Sequence, residues 1–527
     1  MKLVDRGVFL CLLFSSAFCA LPAQEAAPPA LSAAADQKSV QLEQKVEAIS
    51  AALAATQQQI ELSQRQMRQL QQELVELRDE MATRGSASAV AANAGSSSSL
   101  DAAPADAAPS APGPDTVAAL QERVQTLEAA VKVHDQSKVE SGSKYPVRLT
   151  GLILFNGYLN RGVSDNTDLP AFALRGSSTS GNGNAGASLR QTILGIEGDG
   201  PRLGGARTSA SVNLDFFSSV SYTSYGTSAG VVRMRTANID FDWAHDSIQV
   251  GLVNPLIAPL SPESYATVAE PSLAGAGNLW TWAPQLRYTH RFPLEDGKRL
   301  QFEFGLWDSP AAGYNTNQLF RTSSPAELSE QPAYETRISY AADGEQGFQV
   351  GLGGYYSRQA YPGYQGYQGT ENLDSWAGTA DWRLPIGRHF EISGEGYRGR
   401  ALGGLGGGVY KDVVTGTSPL SGASVLHGLN AIGGWTQLKT RYNSRLETNF
   451  SMGLDDGFAG DFHAVVQSPT ATATQLRARN KMAVANLIFR PKTYLILSPE
   501  YRRIWSYPIA GPSSSLDVYT LSVGYQF

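Results

Sequence analysis

The sequence predicts an all-β transmembrane barrel of about 16 antiparallel strands, preceded by an α-helical N-terminal coiled coil. Three observations carry the barrel. The stretch Asp517 to Phe527 places Tyr519, Leu521, Val523, Tyr525 and Phe527 on one side of an extended strand and Thr520, Ser522, Gly524 and Gln526 on the other, a strict period of two. From Lys144 onward that period persists, broken by connections that alternate between short and long. Beyond the N-terminus, no stretch has the unbroken apolar length of a membrane-spanning helix.

At the start of the chain, Lys2 and Arg6 precede the apolar run Val8 to Ala20, and Leu21-Pro22-Ala23 supplies small residues at a cleavage point. Residues 1–23 read as a secretory signal peptide, cut after Ala23. Cys11 and Cys19 both fall inside it, so the mature chain has no thiol, disulfide or cysteine metal site. Phe18 stands where a lipobox carries a small residue, which argues against lipidation at Cys19. With 53 Gly and 22 Tyr in 527 residues and 17% charged side chains, the chain is too polar for a helical membrane protein but suits a barrel, which gives half of each strand to water. The net charge of -6 argues against nucleic acid as a partner.

Residues 24–38 carry no periodic signal and are expected to be disordered. Within 39–84, Val46, Leu53, Ile60, Met67, Leu74 and Met81 form one column of a narrow heptad seam, with Gln, Glu and Arg filling many of the other positions. The seam cannot be buried by one chain, so it predicts self-association, with two or three strands left open. Residues 85–115 are an Ala/Ser/Pro linker. A second, shorter coiled-coil segment at 116–136 continues through Val117, Leu120, Val124, Leu127 and Val131 to His134, and the barrel occupies 145–527.

Candidate strands are 146–160, 188–199, 206–219, 231–243, 247–253, 281–292, 299–308, 333–342, 347–358, 373–384, 388–400, 425–438, 440–454, 475–489, 493–506 and 516–527. Short turns such as 244–246, 294–298 and 385–387 take turns with long connections such as 161–187, 254–280, 309–332, 401–424 and 455–474, which puts both chain ends on the periplasmic side. Leu300, Phe302, Phe304 and Leu306 oppose Gln301, Glu303 and Gly305, and the polar set is assigned to a wet lumen because a charge facing mid-bilayer lipid costs about 2–4 kcal/mol. Trp243, Trp280, Trp282, Trp376, Trp382 and Trp505 lie near strand ends, as an interfacial girdle requires. Arg233 and Arg235 share parity with Ile239 and Phe241, a conflict that only a β-bulge or another register resolves.

A barrel of this size leaves an aqueous bore unless something fills it. The third long connection, with Glu263 and Glu270 as its only charges, is the candidate constriction. Candidate pore-lining residues are Arg148, Arg207, Arg287, Arg291, Arg337, Arg383, Arg445 and Arg502 with Glu303, Glu335, Asp381, Glu391, Glu447 and Glu500. Their signs are mixed, so charge selectivity stays open, and any one of them is as well explained by a lumen salt bridge that stiffens the wall. No catalytic motif, metal cluster or cofactor signature appears: there is no G-x-S-x-G, and no H-E-x-x-H, and the Gly403 to Gly408 cluster reads as a mobile outer loop. No enzyme is expected.

The stretches Leu189-Arg190-Gln191-Thr192-Ile193-Leu194-Gly195, Arg233-Met234-Arg235, Val250-Gly251-Leu252 leading into Asn254, and Asn486-Leu487-Ile488-Phe489-Arg490-Pro491 followed by Glu500-Tyr501 resemble the DcaP-like trimeric porins and, in part, the phosphate-selective porins. The resemblance implies a Gram-negative outer-membrane homotrimer bundled by a periplasmic coil, and uptake of small anions such as dicarboxylates. The terminal Phe527 resembles the signal read by the barrel-assembly machinery. The expected function is passive diffusion of small hydrophilic solutes. The alternative is an envelope scaffold whose barrel is largely plugged and whose coil tethers the outer membrane to periplasmic partners. Removal of residues 24–143 is expected to leave a barrel that still inserts in lipid and migrates as a heat-modifiable species on gels. Loss of that behaviour would make the coil part of the folding unit.

Overall fold

The computed structural model describes residues 145–527 except 177–180, 219–229, 309–310, 312–321, 343–346, 363–369, 469–470 and 473–474. The signal peptide, both coiled-coil segments and the linker lie outside the described residues. Among the described residues, sixteen antiparallel strands close into a barrel. These are β1 Val147–Arg161, β2 Ile193–Asp199 with its outer continuation Gly183–Ser188, β3 Arg207–Asp215, β4 Arg233–Asp242, β5 Asp246–Val253, β6 Ala283–Pro293, β7 Lys298–Trp307 and β8 Ala333–Ala342. They continue as β9 Gln349–Pro362, β10 Thr370–Ile386, β11 Phe390–Arg400, β12 Asn430–Arg441, β13 Leu446–Gly457, β14 Arg477–Lys492, β15 Leu495–Pro508 and β16 Ser514–Gln526. Both pieces of β2 pair with β1, at Asn156↔Ser188 and Leu152↔Ile193, so they act as one stave interrupted at 189–192.

The ring closes through β1 and β16, in register from Leu152↔Gln526 to Arg161↔Asp517. Beyond the last strand residue, the Gly151 N–H donates to the Phe527 carbonyl (2.9 Å) and the Phe527 N–H to the Gly151 carbonyl (3.0 Å). The closing strand is two-faced: Tyr519, Leu521 and Tyr525 are exposed on the outer wall, and Thr520 and Ser522 are buried inside.

Two departures from the expected strands have local causes. The turn expected near residue 439 lies at 442–445, because Lys439 and Arg441 continue the alternation of β12 and the Asn443 side chain accepts the N–H groups of Arg445 and Leu446. The candidate strand 425–438 is two elements, since Ser424–Gly428 pairs with Val413–Thr417 in a loop hairpin and β12 begins at Asn430. The parity conflict at Arg233 and Arg235 resolves as a bulge. Leu214 pairs with Met234 while Asn213 pairs with Thr236, leaving Arg235 as the extra residue, so both arginines turn inward and Met234 outward.

The outer wall is apolar along most of its height. Ile153, Phe155, Ile196, Ile239, Leu286, Phe302, Ile338, Phe450 and Leu521 are all exposed there. Of the aromatic girdle, Trp376 is exposed on the outer wall, but Trp280 and Trp282 are not part of it. They meet edge to face at 5.3 Å and turn inward beside the unusual backbone of Thr281 (φ 151). Ile338, midway along β8 and 53% exposed, tests the orientation of the wall. Ile338→Arg is expected to destabilise the barrel by about 2–4 kcal/mol in reversible unfolding from lipid vesicles, with Ser339→Ala within about 1 kcal/mol of wild type.

Candidate constriction and lumen

Inside the wall, polar side chains pair across strands. Arg337 on β8 donates from Nε and Nη2 to the two carboxylate oxygens of Asp381 on β10 (2.9 and 2.8 Å) and from Nη1 to Glu303 on β7 (2.6 Å). It crosses β9 at Gly351, where a Cβ would stand 2.7 Å from Arg337 Nη2. All three ionic groups are buried, and the paired geometry is what makes their desolvation tolerable.

The third long loop, 254–282, does not cross the bore as a bar. It circles the inner wall, held at successive strands by side chains that point inward. Backbone N–H groups of Leu256, Leu260 and Glu263 donate to Glu335 (2.7 Å), Glu395 (2.7 Å) and Gln437 (2.8 Å). Ser264 donates to Glu500 (2.5 Å), and Gln191 grips Ala266 O (2.8 Å) and the Ala269 N–H (2.9 Å). Arg233 donates to Ala269 O (2.8 Å) and Arg235 to Val268 O. The loop then doubles back over β14, where Asn480 donates to Gly275 O (3.0 Å), and over β12 and β13 at Gly277. Gly277 has φ +100, and a Cβ there would stand 2.6 Å from the Gly434 nitrogen, so only glycine fits.

Several candidate pore-lining residues are therefore loop anchors or wall pairs. Glu303, Glu335, Arg337 and Asp381 are buried, as are Glu500 and Arg502; Arg502 donates to Pro170 O (3.0 Å) and lies 3.5 Å from Glu500. Glu391 pairs with Arg441 (2.9 Å) and Glu447 with Arg490 (3.1 Å). Arg148 lies 3.4 Å from Glu197, Arg291 lies 3.6 Å from Asp242, and Arg207 is an exposed rim residue 3.8 Å from the same Asp242. Arg383 is exposed near the short-turn end of β10. Arg445 is not in the wall at all: it sits in the 442–445 turn, where its carbonyl accepts the Arg490 N–H (2.7 Å).

The two loop glutamates separate. Glu263 is ion-paired with Lys439 of β12. Glu270 is half-buried, and loss of water pushes its carboxyl up to about 7; the Arg233 guanidinium opposes that shift, while Asp165 and Asp215 add to it.

What the ring leaves open is a cavity of about 500 Å3 framed by Arg235, Asn254, Glu263, Tyr265, Trp282 and Arg490. Arg235 lies over Trp282 (4.7 Å to the ring centre) and Arg490 over Tyr265 (5.9 Å). Arg287, beneath the loop's first residue, donates to Asn254 O (2.6 Å). The cationic groups here come from the wall: Arg490 is paired with Glu447 (3.1 Å), Arg235 lies 4.0 Å from Asp215, and Glu263 is taken up by Lys439. Sequence reasoning did not select Arg235, Arg490, Lys439, Tyr265 or Trp282. The signals available were the parity conflict at Arg235 and the family-like stretches that hold Arg235 and Arg490.

Above this level the lumen is not wet. Leu273 and Ala276 of the third loop pack on Trp435, Met482, Val484, Ile504, Leu516 and Val518, all inward-facing wall residues. Ile257 and Leu279 pack with Leu402 and Leu405 of the sixth loop. Gly403 to Gly408, expected as a mobile outer loop, is instead buried inside the barrel mouth. The Trp280 N–H donates to Leu405 O (2.8 Å), and the Asp412 side chain accepts the Gly403 N–H (2.7 Å). At the short-turn end, His389 meets the Arg441 carbonyl (2.9 Å) and Glu391 meets the Arg441 side chain.

No family model and no curated protein matches the chain. Among solved structures it is similar to the outer membrane channel DcaP of Acinetobacter baumannii, at 14% identity over 74% of this chain and 100% of that chain, with a TM-score of 0.55. The fold is that of the DcaP channel. Similarity extends to the anion-selective porin from Comamonas acidovorans (12% identity, 73% and 100% coverage, TM-score 0.45) and to Pseudomonas putida OprB (12%, 72% and 94%, 0.42). The DcaP-like fold is thus reached from loose local motifs at an identity where only architecture is shared.

Two expectations follow from this site. Gln191→Ala removes both anchors at the far side of the ring, and single-channel recording is expected to give a larger and noisier conductance than wild type. A glutamate with a raised native pKa binds its proton more tightly when folded, so its stabilising contribution is full below about 4.5 and is lost as pH rises through about 7. The thermal midpoint of wild type is therefore expected to fall between pH 4.5 and 8 by more than that of Glu270→Gln, measured by loss of heat-modifiable migration.

Proposed function

We propose that this protein is an outer-membrane porin that admits small hydrophilic solutes by passive diffusion, with a preference for small organic anions. The observation that carries the reading is the cavity inside the third-loop ring, where Arg235 and Arg490 face the opening and Arg287 lies beneath it. A solute with a carboxylate would meet cations held by aromatic rings and by backbone, in a setting drier than bulk water, where such attraction is strengthened. The same reading takes residues 1–23 as a signal peptide, residues 39–84 and 116–136 as a periplasmic coil that gathers three barrels, and Phe527 as the contact for the assembly machinery. The heptad seam is what supports the trimer.

A second reading, the plugged scaffold, is favoured by one observation, the dry packing of the third and sixth loops across the long-loop half of the lumen. Planar-bilayer recording separates the two. The porin reading expects conductance steps in groups of three and, in a salt gradient, a reversal potential of anion-selective sign that moves toward cation selectivity in Arg235→Glu/Arg490→Glu. Silence from well-folded protein supports the scaffold, and a cation-selective wild type rejects the anion preference.

A further inference from the structure

The outer wall is not uniform around its circumference. At the long-loop end, outward-facing cations lie on β9, β11, β14, β15 and β1, all within the arc that runs from β9 through β16 to β1. Three are paired with carboxylates on the neighbouring strand: Arg358 with Asp374 (3.2 Å), Arg479 with Asp456 (2.7 Å) and Arg503 with Asp517 (3.6 Å). Four more, Arg161, Arg398, Arg400 and Lys481, have no carboxylate within ion-pair distance among the described residues, leaving a surplus of four positive charges. The strand register links them in two runs, through Asp374↔Arg358 and Trp376↔Arg400 on one side and Asp456↔Arg479, Lys481↔Trp505 and Asp517↔Arg161 on the other, with Ile432 of β12 between Arg398 and Asp456.

Aromatic rings sit among these cations. Arg398 lies over Phe458 (4.2 Å) and Trp376 (5.4 Å), Lys481 over Tyr507 (5.6 Å), and Arg161 over Tyr519 (5.6 Å). Such rings mark the level where hydrocarbon gives way to headgroups. At the same level on the other arc, from β4 to β8, the described outward residues are Val232, Met234, Leu286, Leu306 and Tyr334, with the carboxylates of Asp308 and Glu330 beside them. Cations that merely capped the wall would be spread over both arcs. A neighbouring copy would touch only a few adjacent strands, whereas these cations, on five strands, are spread over an arc that spans nine of the sixteen.

We propose that this arc is a docking collar for phosphorylated anionic lipid of the outer leaflet. The paired carboxylates hold three guanidinium groups in place between neighbouring sites, and the four unpaired cations supply the contacts to phosphate. A zwitterionic headgroup carries its own cation and gains little from the surplus.

The test uses the full-length protein in nanodiscs, with lipid retention read by native mass spectrometry. The probes are bis-phosphorylated lipid A and phosphatidylcholine, and the variant is Arg161→Gln/Arg398→Gln/Arg400→Gln/Lys481→Gln. Wild type is expected to keep lipid A under activation that strips phosphatidylcholine, and the variant to lose roughly tenfold or more of that retention. Should the variant fail to fold, the same loss is expected of wild type in about 1 M salt, where charges beyond about 3 Å are screened. Equal retention by wild type and variant, or by lipid A and phosphatidylcholine, overturns the proposal. So does inorganic phosphate raising the thermal midpoint of lipid-free protein as much as lipid A does, which would make this a free-phosphate site. Loss of the oligomer in place of lipid would assign the arc to a second copy and likewise reject the collar.

Discussion

Everything in this barrel depends on the absence of water beside the backbone. Lipid offers no partner to an amide N–H or a carbonyl, so each strand has to find both neighbours, and the first must find the last. The β1–β16 register and the reciprocal Gly151–Phe527 pair achieve that closure. Once the ring is closed, every second side chain must face inward, whatever its chemistry. The lumen is therefore supplied with polar groups that have to be satisfied; some pair with neighbours along the wall, and the rest lie too far apart across the bore to meet one another.

The third loop answers that requirement. Glu335, Glu395, Gln437 and Glu500 each use an inward oxygen to take a loop donor, and Gln191 takes one donor and one acceptor. The loop gains partners for a backbone that has no regular structure of its own, and the wall gains partners for carboxylates that would otherwise be buried and unpaired. Because its anchors are spread around the wall, the loop lies along it and leaves a central opening. Strand pairing and aperture are thus linked by one set of hydrogen bonds, in the manner expected of irregular backbone tolerated only where it lines a cavity.

Much of this architecture was legible in the sequence. Period-two alternation located all sixteen strands, since each outward Leu, Phe or Ile is forced by lipid and leaves a local trace. The bulge was visible as a contradiction, two arginines on a greasy parity, and it lies where the contradiction stood. What failed was what no local pattern encodes. Gly403 to Gly408 has the composition of an exposed loop, yet its small size is what lets it pack beneath Trp280 inside the mouth. Met482, Val484 and Ile504 broke the expectation of a wet interior because their partners, Leu273 and Ala276, arrive from a loop some two hundred residues away in the chain. Alternation reports that two faces differ, not which solvent each one meets.

The same limit explains why the charges at the opening could not be read from the sequence. A count of the constriction segment gives two glutamates and no arginine, which points toward cations. In the fold, Glu263 is taken up by Lys439 and Glu270 is turned toward Arg233, Asp165 and Asp215. The cations at the opening are Arg235 of β4 and Arg490 of β14, neither of which belongs to the loop. In a regular strand, the parity that puts both arginines in the lumen would invert the residues after them, with Ile239 and Phe241 inside and Asp240 in lipid; the bulge at Arg235 removes that conflict. One inserted residue therefore serves both surfaces at once. It keeps the lower half of β4 compatible with the membrane and leaves both arginines, rather than neither, on the lumen side.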